Sequence, residues 1–344
     1  MNTARLGLIV NPAAGHGAGR NLRLAAVAVA ALRPERVFAG PGDLGADVLD
    51  VLDGGDVLEV AELARGGRAA TQALAVAALR AGAEALVVVG GDGTLADVAS
   101  ALAAAGLRGP IVGVGAGSTN AGALVTCAAD DVVGLAPERL RAKPVDGLHA
   151  VVVDGAGRAV ADALAFNDVV LGTTIVGTLD GDFADLDAAA FLRGVRARGR
   201  ARALACVGAR VVKRGPGGDV AVASGPEVGF AVVGFTDVLR DHGKAIVGGV
   251  ALSDYVRVPA GALVASWPLV FADFDLDDHR AMEPLRSAYV GLAADEVLEL
   301  AGLDDGAYLC ADGNPLWELH PDDRARVTLR RGVVDVARFI EGDR

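Results

Sequence analysis

Along the first 145 positions, short apolar runs alternate with Ala-rich stretches in which apolar residues recur three and four apart. Residues 6–10 predict a strand, 21–32 a helix, 57–60 a second strand and 71–79 a second helix. The run beginning at Ala85 is five aliphatic residues without polar alternation, the pattern of a strand buried on both faces of a parallel sheet. Residues 111–114 repeat that pattern, and each of these two strands is expected to lead into a helix, the first over 95–102. This is βαβ organisation, with ligand loops at the carboxyl ends of the strands. After Pro144 the texture changes. Short β-branched runs at 149–153, 164–171, 211–212, 220–223, 228–233, 308–310 and 326–329 are separated by Asp-Gly and Gly-Pro turn signals. The expected fold class is therefore α/β, with a parallel-sheet domain over 1–145 and a β-rich, sandwich-like domain over 146–344. Residues 140–145 are the expected linker, and 182–198 reads as a helical insertion.

Three loops of the first domain follow a strand and precede a predicted helix. In Gly90-Gly91-Asp92-Gly93-Thr94 the glycines permit a tight turn, and Thr94 is a candidate N-cap. A strand, a glycine turn and a helix N-terminus present backbone N–H groups to an anion, usually a phosphate. A carboxylate repels phosphate, so Asp92 has a place there only with another task. It can take a proton from an attacking hydroxyl, hold Mg²⁺ against phosphates, or bind a sugar hydroxyl. The bland alternative is a turn capped by Asp and Thr. The loop opened by Asn11-Pro12 carries Gly15, Gly17 and Gly19, but Arg20 stands where a dinucleotide fingerprint needs its last glycine. His16 in it reads as a solvated histidine. The third loop, Gly117-Ser118-Thr119-Asn120, either caps a helix or offers hydroxyls and an amide to phosphate or sugar oxygens. Adjacent loops of a doubly wound sheet converge, which favours one nucleotide or polyphosphate site. In the second domain, Asn167 and Asp168 interrupt an apolar run. They are costly to bury unless hydrogen-bonded, and such a pair can hold a ribose diol and an adenine edge. Taken alone, they read first as a bulge or turn.

Composition narrows the field. The chain has 344 residues and a formal net charge of −12, which disfavours nucleic acid and anionic membranes as partners. Arg193, Arg196, Arg198, Arg200 and Arg202 form one local exception, read as a solvated face or an anion-binding patch. No apolar run approaches the roughly 20 residues of a spanning helix, and residues 6–10 are too short for a signal-peptide core, so the expected location is cytoplasmic. Three distant cysteines, Cys127, Cys206 and Cys310, suit neither a disulfide framework nor a zinc site and read as buried thiols. Lysines stand only at 143, 213 and 244, and no Gly-Lys-Ser/Thr loop occurs, which excludes a Walker A site. The stretch 273–279 opens like an EF-hand loop but has Asp278 and Pro284 where Gly and Glu are needed, and no metal cage is expected.

These motifs taken together resemble the NAD kinase and diacylglycerol kinase superfamily. The resemblance rests on Asn11-Pro12, the Gly-Gly-Asp-Gly-Thr turn, Gly117-Ser118-Thr119-Asn120, Asn167-Asp168 and the Asp312-Gly313 turn. Within the superfamily the sequence is most similar to the ATP-NAD kinase family of the acetoin-catabolism X type. The resemblance implies a Rossmann-like first domain and a β-rich second domain whose final segment packs back on the first. It implies ATP or another nucleoside triphosphate as donor, with Mg²⁺ arriving on it, and a ribose hydroxyl of NAD as acceptor. Asp92 would activate that hydroxyl, and Asn167-Asp168 would hold the adenosine; a homo-oligomer is also implied. Lipid kinases of the superfamily carry Gly-Thr-x-Asn-Asp where Gly117 to Ala121 lie, with Ala121 in place of the second acid. A lipid kinase is thus the rival within the class, and a non-catalytic nucleotide sensor the rival outside it.

Overall fold

The structure, a computed structural model, describes residues 1–15, 17–49, 55–117, 120, 122–179, 182–204, 207–235, 259–266, 286–303 and 306–340. His16, Ser118, Thr119, Ala121, Cys206 and the acidic stretch 273–279 lie outside them. The chain divides into two compact units, one of Met1–Asp146 with the stretch from Arg331 onward, the other of Gly147–Arg330.

The first unit is built on β1 (Arg5–Val10), α1 (Ala18–Leu32), β2 (Arg36–Ala39), α2 (Ala46–Leu49), β3 (Asp56–Val57), α3 (Gly67–Arg80), β4 (Ala85–Gly90), α4 (Asp92–Ala104), β5 (Ile111–Gly115) and β6 (Cys127–Ala128). The strands are parallel in the order β3-β2-β1-β4-β5, and Val336 of the returning C-terminal segment pairs with Ile111 beyond β5. Every residue of β4 and β5 is buried, as their uninterrupted apolar runs require. Leu6, Leu8, Val10, Val87 and Val89 meet Ala25, Ala28, Val29 and Leu32 of α1 on one face of the sheet. On the other face α3 lies so close that a Cβ on Gly7 would stand 2.7 Å from the Ala78 Cβ. The Ala and Gly content is thus a packing requirement: small residues let helices approach the sheet closely.

Three expectations fail in this unit. The strand β2 is absent from the reading because Arg36–Ala39 is too short to show a period. The expected strand over 57–60 is reduced to Asp56–Val57 and gives way to a 3-10 turn at Ala61–Arg65. No α-helix follows β5 among the described residues; 3-10 turns at Ala129–Gly134 and Pro137–Arg139 take its place. The expected linker, 140–145, leads up to the boundary between the two units. It opens β7 (Leu140–Val153), a 14-residue strand whose exposed start tolerates Pro144 and the donor it lacks.

The second unit is antiparallel and contains two large sheets and a separate two-stranded one. One has the order β16 (Ser287–Leu292), β15 (Ala260–Ala265), β14 (Phe230–Phe235), β9 (Asp168–Gly172), β18 (Ala307–Ala311) and β19 (Asn314–Leu319). The other joins β13 (Val220–Ser224), β12 (Arg210–Arg214), β17 (Val297–Ala301) and the start of β20 (Arg324–Phe339), and β7 pairs with β8 (Ala159–Ala165). Val169, Leu171, Val233, Val264 and Leu309 of the first sheet share one core with Val211, Leu298, Leu300 and Val327 of the second, the sandwich-like arrangement expected. The stretch 182–198 is not a helical insertion. It begins as β11 (Asp182–Asp187), paired with β10 (Thr174–Leu179), and only α5 (Ala188–Leu192) is helical, capped by the Asp187 carboxylate accepting from the Ala190 N–H at 2.6 Å. No helix among the described residues is long and apolar enough to cross a membrane.

Candidate functional site

In the first unit the chain folds its three candidate loops onto one another. Ala14 N–H donates to the Asn11 carbonyl, closing a turn with Pro12 inside it, and the Asn11 Oδ1 accepts from Ala13 N–H at 3.0 Å. The Asn11 Nδ2 then donates to the Thr94 Oγ1 at 2.8 Å, tying the first loop to the second. Gly15 has φ +56°, and a Cβ there would lie 1.8 Å from the Ala116 carbonyl oxygen, so this loop also rests on the third. Gly91 and Gly117 meet backbone to backbone, since a Cβ on Gly117 would come within 2.7 Å of the Gly91 Cα. The residue types are dictated by approach distance; larger side chains would separate the loops.

Asp92 occupies the first turn of α4, half-buried, and its Oδ1 accepts from the Gly122 N–H at 2.9 Å. The helix begins at Asp92 with Gly91 before it, so Thr94 is not the N-cap. Its hydroxyl serves the Asn11 bond instead, and a Cβ on Gly90 would collide with it at 2.6 Å. With no side chain capping α4, the N–H groups of its first turn lack intrahelical partners and point along the positive end of the helix. Among the described residues no α-helix follows the third loop for Asn120 to cap. Asn120 instead adopts φ +49°, accepting from Gly117 N–H at 2.7 Å and donating to the Gly117 carbonyl at 2.6 Å.

Asn21 was not singled out in the sequence, although it is the polar residue on the buried face of α1. It is fully buried, and its Nδ2 donates to the Asn11 and Ala14 carbonyls at 2.9 and 2.8 Å, fixing the first loop from beneath.

In the second unit, Phe166 and Asn167 form the corner between β8 and β9, so the predicted 164–171 strand is two strands. The corner is organised by Asp312, whose carboxylate accepts from the N–H groups of Phe166, Asn167 and Asp168 at 2.8, 2.7 and 3.1 Å. Asp312 and Gly313, with φ +46° and +75°, make the two-residue turn joining β18 to β19. The Asp-Gly signal for that turn was legible; the second task of its side chain was not. Burial, and next the Asp168 carboxylate, push the Asp312 carboxyl up to about 7. Asn167 is 7% exposed, and its Oδ1 is buried without a hydrogen-bond partner among the described residues.

The remaining candidates are quieter. Cys127 and Cys310 are buried free thiols, and burial raises both, Cys127 to about 12. Arg193, Arg196, Arg198, Arg200 and Arg202 are exposed, with Arg196 over the Phe191 ring. The described residues contain no cluster of three or more His, Cys, Asp or Glu suited to a metal.

Residues 5–150 match the diacylglycerol kinase catalytic domain family. An uncharacterised protein of Archaeoglobus fulgidus is 33% identical over 264 residues, covering 76% of each chain. Among solved structures, yeast NADH kinase complexed with NADH aligns at a TM-score of 0.54 and 11% identity, over 98% of this chain and 84% of its own. A Bacillus anthracis str. Sterne protein assigned as a diacylglycerol kinase aligns at 0.51 and 14% identity, over 98% and 97%. With the three converged loops and the two-unit architecture, these findings place the chain in a family of the NAD kinase and diacylglycerol kinase superfamily, to which it belongs.

Proposed function

We propose that the protein is a phosphotransferase moving the γ-phosphoryl group of MgATP, or of another nucleoside triphosphate, to a ribose hydroxyl of NAD. The acceptor hydroxyl loses its proton to Asp92 as its oxygen bonds to the γ-phosphorus. The bond from that phosphorus to the bridging oxygen breaks, leaving the nucleoside diphosphate and a phosphate ester. Gly90, Gly91, Gly93 and the first turn of α4 offer N–H groups for phosphate oxygens, with Asn11, Pro12, Thr94, Gly117, Ser118, Thr119 and Asn120 completing the binding loops. Asp92 is the single acid in the three loops, so Mg²⁺ enters as part of the nucleotide substrate rather than in a protein cage.

The observation that carries the choice of acceptor is the Asn167 corner. A buried amide oxygen without a partner is costly, and the exocyclic amine of an adenine would satisfy it. Asp168, next in the chain, is the candidate for the ribose hydroxyls. A second reading, a lipid kinase, is favoured by the family match over residues 5–150. Incubation of the protein with MgATP and a panel containing NAD, diacylglycerol and long-chain bases, with mass spectrometry of the products, separates the two. NADP as the main product supports the first reading, and lipid phosphate without NADP overturns it. ATP binding without turnover on any acceptor would favour a sensor.

A further inference from the structure

The Asp92 carboxylate accepts from Gly122, and the turn that carries Gly122 is held by a residue more than two hundred positions away. The Val125 N–H donates to the Gly122 carbonyl at 3.1 Å, closing the turn. Arg338, half-buried on the returning C-terminal strand, donates through Nη1 to the Val125 carbonyl at 2.6 Å and through Nη2 to the Ala123 carbonyl. A second brace lies beside it. The Thr126 hydroxyl donates to the Ala337 carbonyl at 2.9 Å and accepts from the Gly113 N–H of β5 at 3.0 Å. Leu124, between the two clasped carbonyls, is 2% exposed, and its own carbonyl packs where a Cβ on Gly113 would lie 2.3 Å away.

A planar guanidinium with two parallel donors fixes both position and direction of what it holds. Fixing the carbonyls of Ala123 and Val125 fixes the 123–124 and 125–126 peptide planes, and the Val125 N–H bond to the Gly122 carbonyl carries that restraint to Gly122, whose N–H faces Asp92. We propose that Arg338 is a positioning residue for Asp92: through the Ala123–Val125 carbonyls it aims the Gly122 N–H that orients the Asp92 carboxylate for proton abstraction. The inference rests on the proposed role of Asp92. It assigns to the C-terminal strand a part in the reaction beyond completing the sheet, and Arg338 itself touches no substrate. An arginine in an exposed ion pair would contribute little and tolerate replacement. This one is committed to two backbone carbonyls, and burial lowers its pKa.

The test compares wild type, Arg338→Lys and Arg338→Met by two readouts. Amide hydrogen exchange of Gly122, followed by NMR, needs no substrate. It should speed up in the order wild type, Lys, Met, because lysine supplies one point donor where arginine supplies a fork. Turnover should follow the same order, with kcat lower by about 10²-fold in Arg338→Met and the KM for MgATP changed less than about twofold, the mark of misplacement rather than lost binding. If Arg338→Met does not fold, Arg338→Lys carries both readouts at smaller amplitude. Gly122 exchange equal to wild type in a folded variant overturns the inference. So does unchanged kcat in the variants alongside an inactive Asp92→Asn. An Asp92→Asn protein as active as wild type would instead sink the role of Asp92 in the proposed function, leaving the exchange result to report on the brace alone.

Discussion

Asp92 and Asp312 are both carboxylates that accept backbone N–H groups at a corner of a sheet, one in each unit. Asp92 is half-buried and takes the Gly122 N–H; Asp312 takes three, and burial with the nearby Asp168 raises its carboxyl to about 7. The first sets a carboxylate in the opening turn of a helix beside the glycine loops. The second uses up the carboxylate to shape the backbone of Phe166, Asn167 and Asp168. The same residue type is thus architectural in one unit and, in the function proposed above, chemical in the other.

The largest effect that would break this comparison is at Asp92. Asp92→Asn retains an oxygen for the Gly122 N–H but cannot take a proton, so turnover should fall by about two to four orders of magnitude with little change in unfolding free energy. Steady-state kinetics and a urea titration on the same preparation decide it. Undiminished turnover would make Asp92 an architectural residue like Asp312.

The architectural carboxylate should show itself through pH. With its folded pKa raised from 3.8 to about 7, Asp312 contributes stability that is fully present below the unfolded value and lost as pH rises through 7. The unfolding free energy of wild type relative to Asp312→Asn should therefore increase from pH 8 down to pH 4. A shift of this size corresponds to about 4 kcal/mol at most. Asparagine tolerates the positive φ of the turn, so the variant isolates the titration. Urea unfolding at several pH values measures the difference; a flat difference would mean that Asp312 is ionised throughout.

The two units also differ in how much of them the sequence discloses. In the parallel sheet, β4 and β5 are buried on both faces, and their unbroken apolar runs announce them. The short β2 and the lack of a helix after β5 among the described residues were not legible, because four residues carry no period and Ala-rich text looks helical wherever it occurs. In the sandwich, strand positions were readable but the pairing of Thr174–Leu179 with Asp182–Asp187 was not, since the helical text of Ala188–Leu192 directly follows the second strand. At the site, Asn11, Asp92 and Asn120 stood out by local context. Asn21 and Arg338 did not, and Asp312 stood out only as a turn residue, because the partners of these side chains lie 7 to 215 positions away and nothing in the neighbouring residues records them.

A smaller effect sharpens the role of the Asn167 corner. If the corner holds the adenosine of NAD, Asp168→Ala should weaken NAD binding by about 1–3 kcal/mol, the usual cost of losing one polar partner in a buried pairing. Titration calorimetry measures it. Absence of NAD binding to wild type, with clear binding of another hydroxylated metabolite, would keep the corner as a binding element and change its ligand.

The smallest expected effect is on membranes, where the second unit sets its Asn167 corner against its exposed arginines. Each Lys or Arg near an anionic surface contributes about 1 kcal/mol, falling off within a Debye length. Arg193, Arg196, Arg198, Arg200 and Arg202 together offer a few kcal/mol at best, from a chain whose net charge is −12. Co-sedimentation with phosphatidylserine-rich liposomes at moderate salt should therefore be absent, and diacylglycerol presented in them should not be phosphorylated. An apolar cleft can admit a lipid monomer without any membrane docking, so detergent-solubilised diacylglycerol belongs in the same assay. Strong lipid phosphorylation in either format, with no product from NAD, would turn the comparison round. The arginines would then be the substrate-facing feature of the second unit, and the Asn167 corner a structural joint held by Asp312.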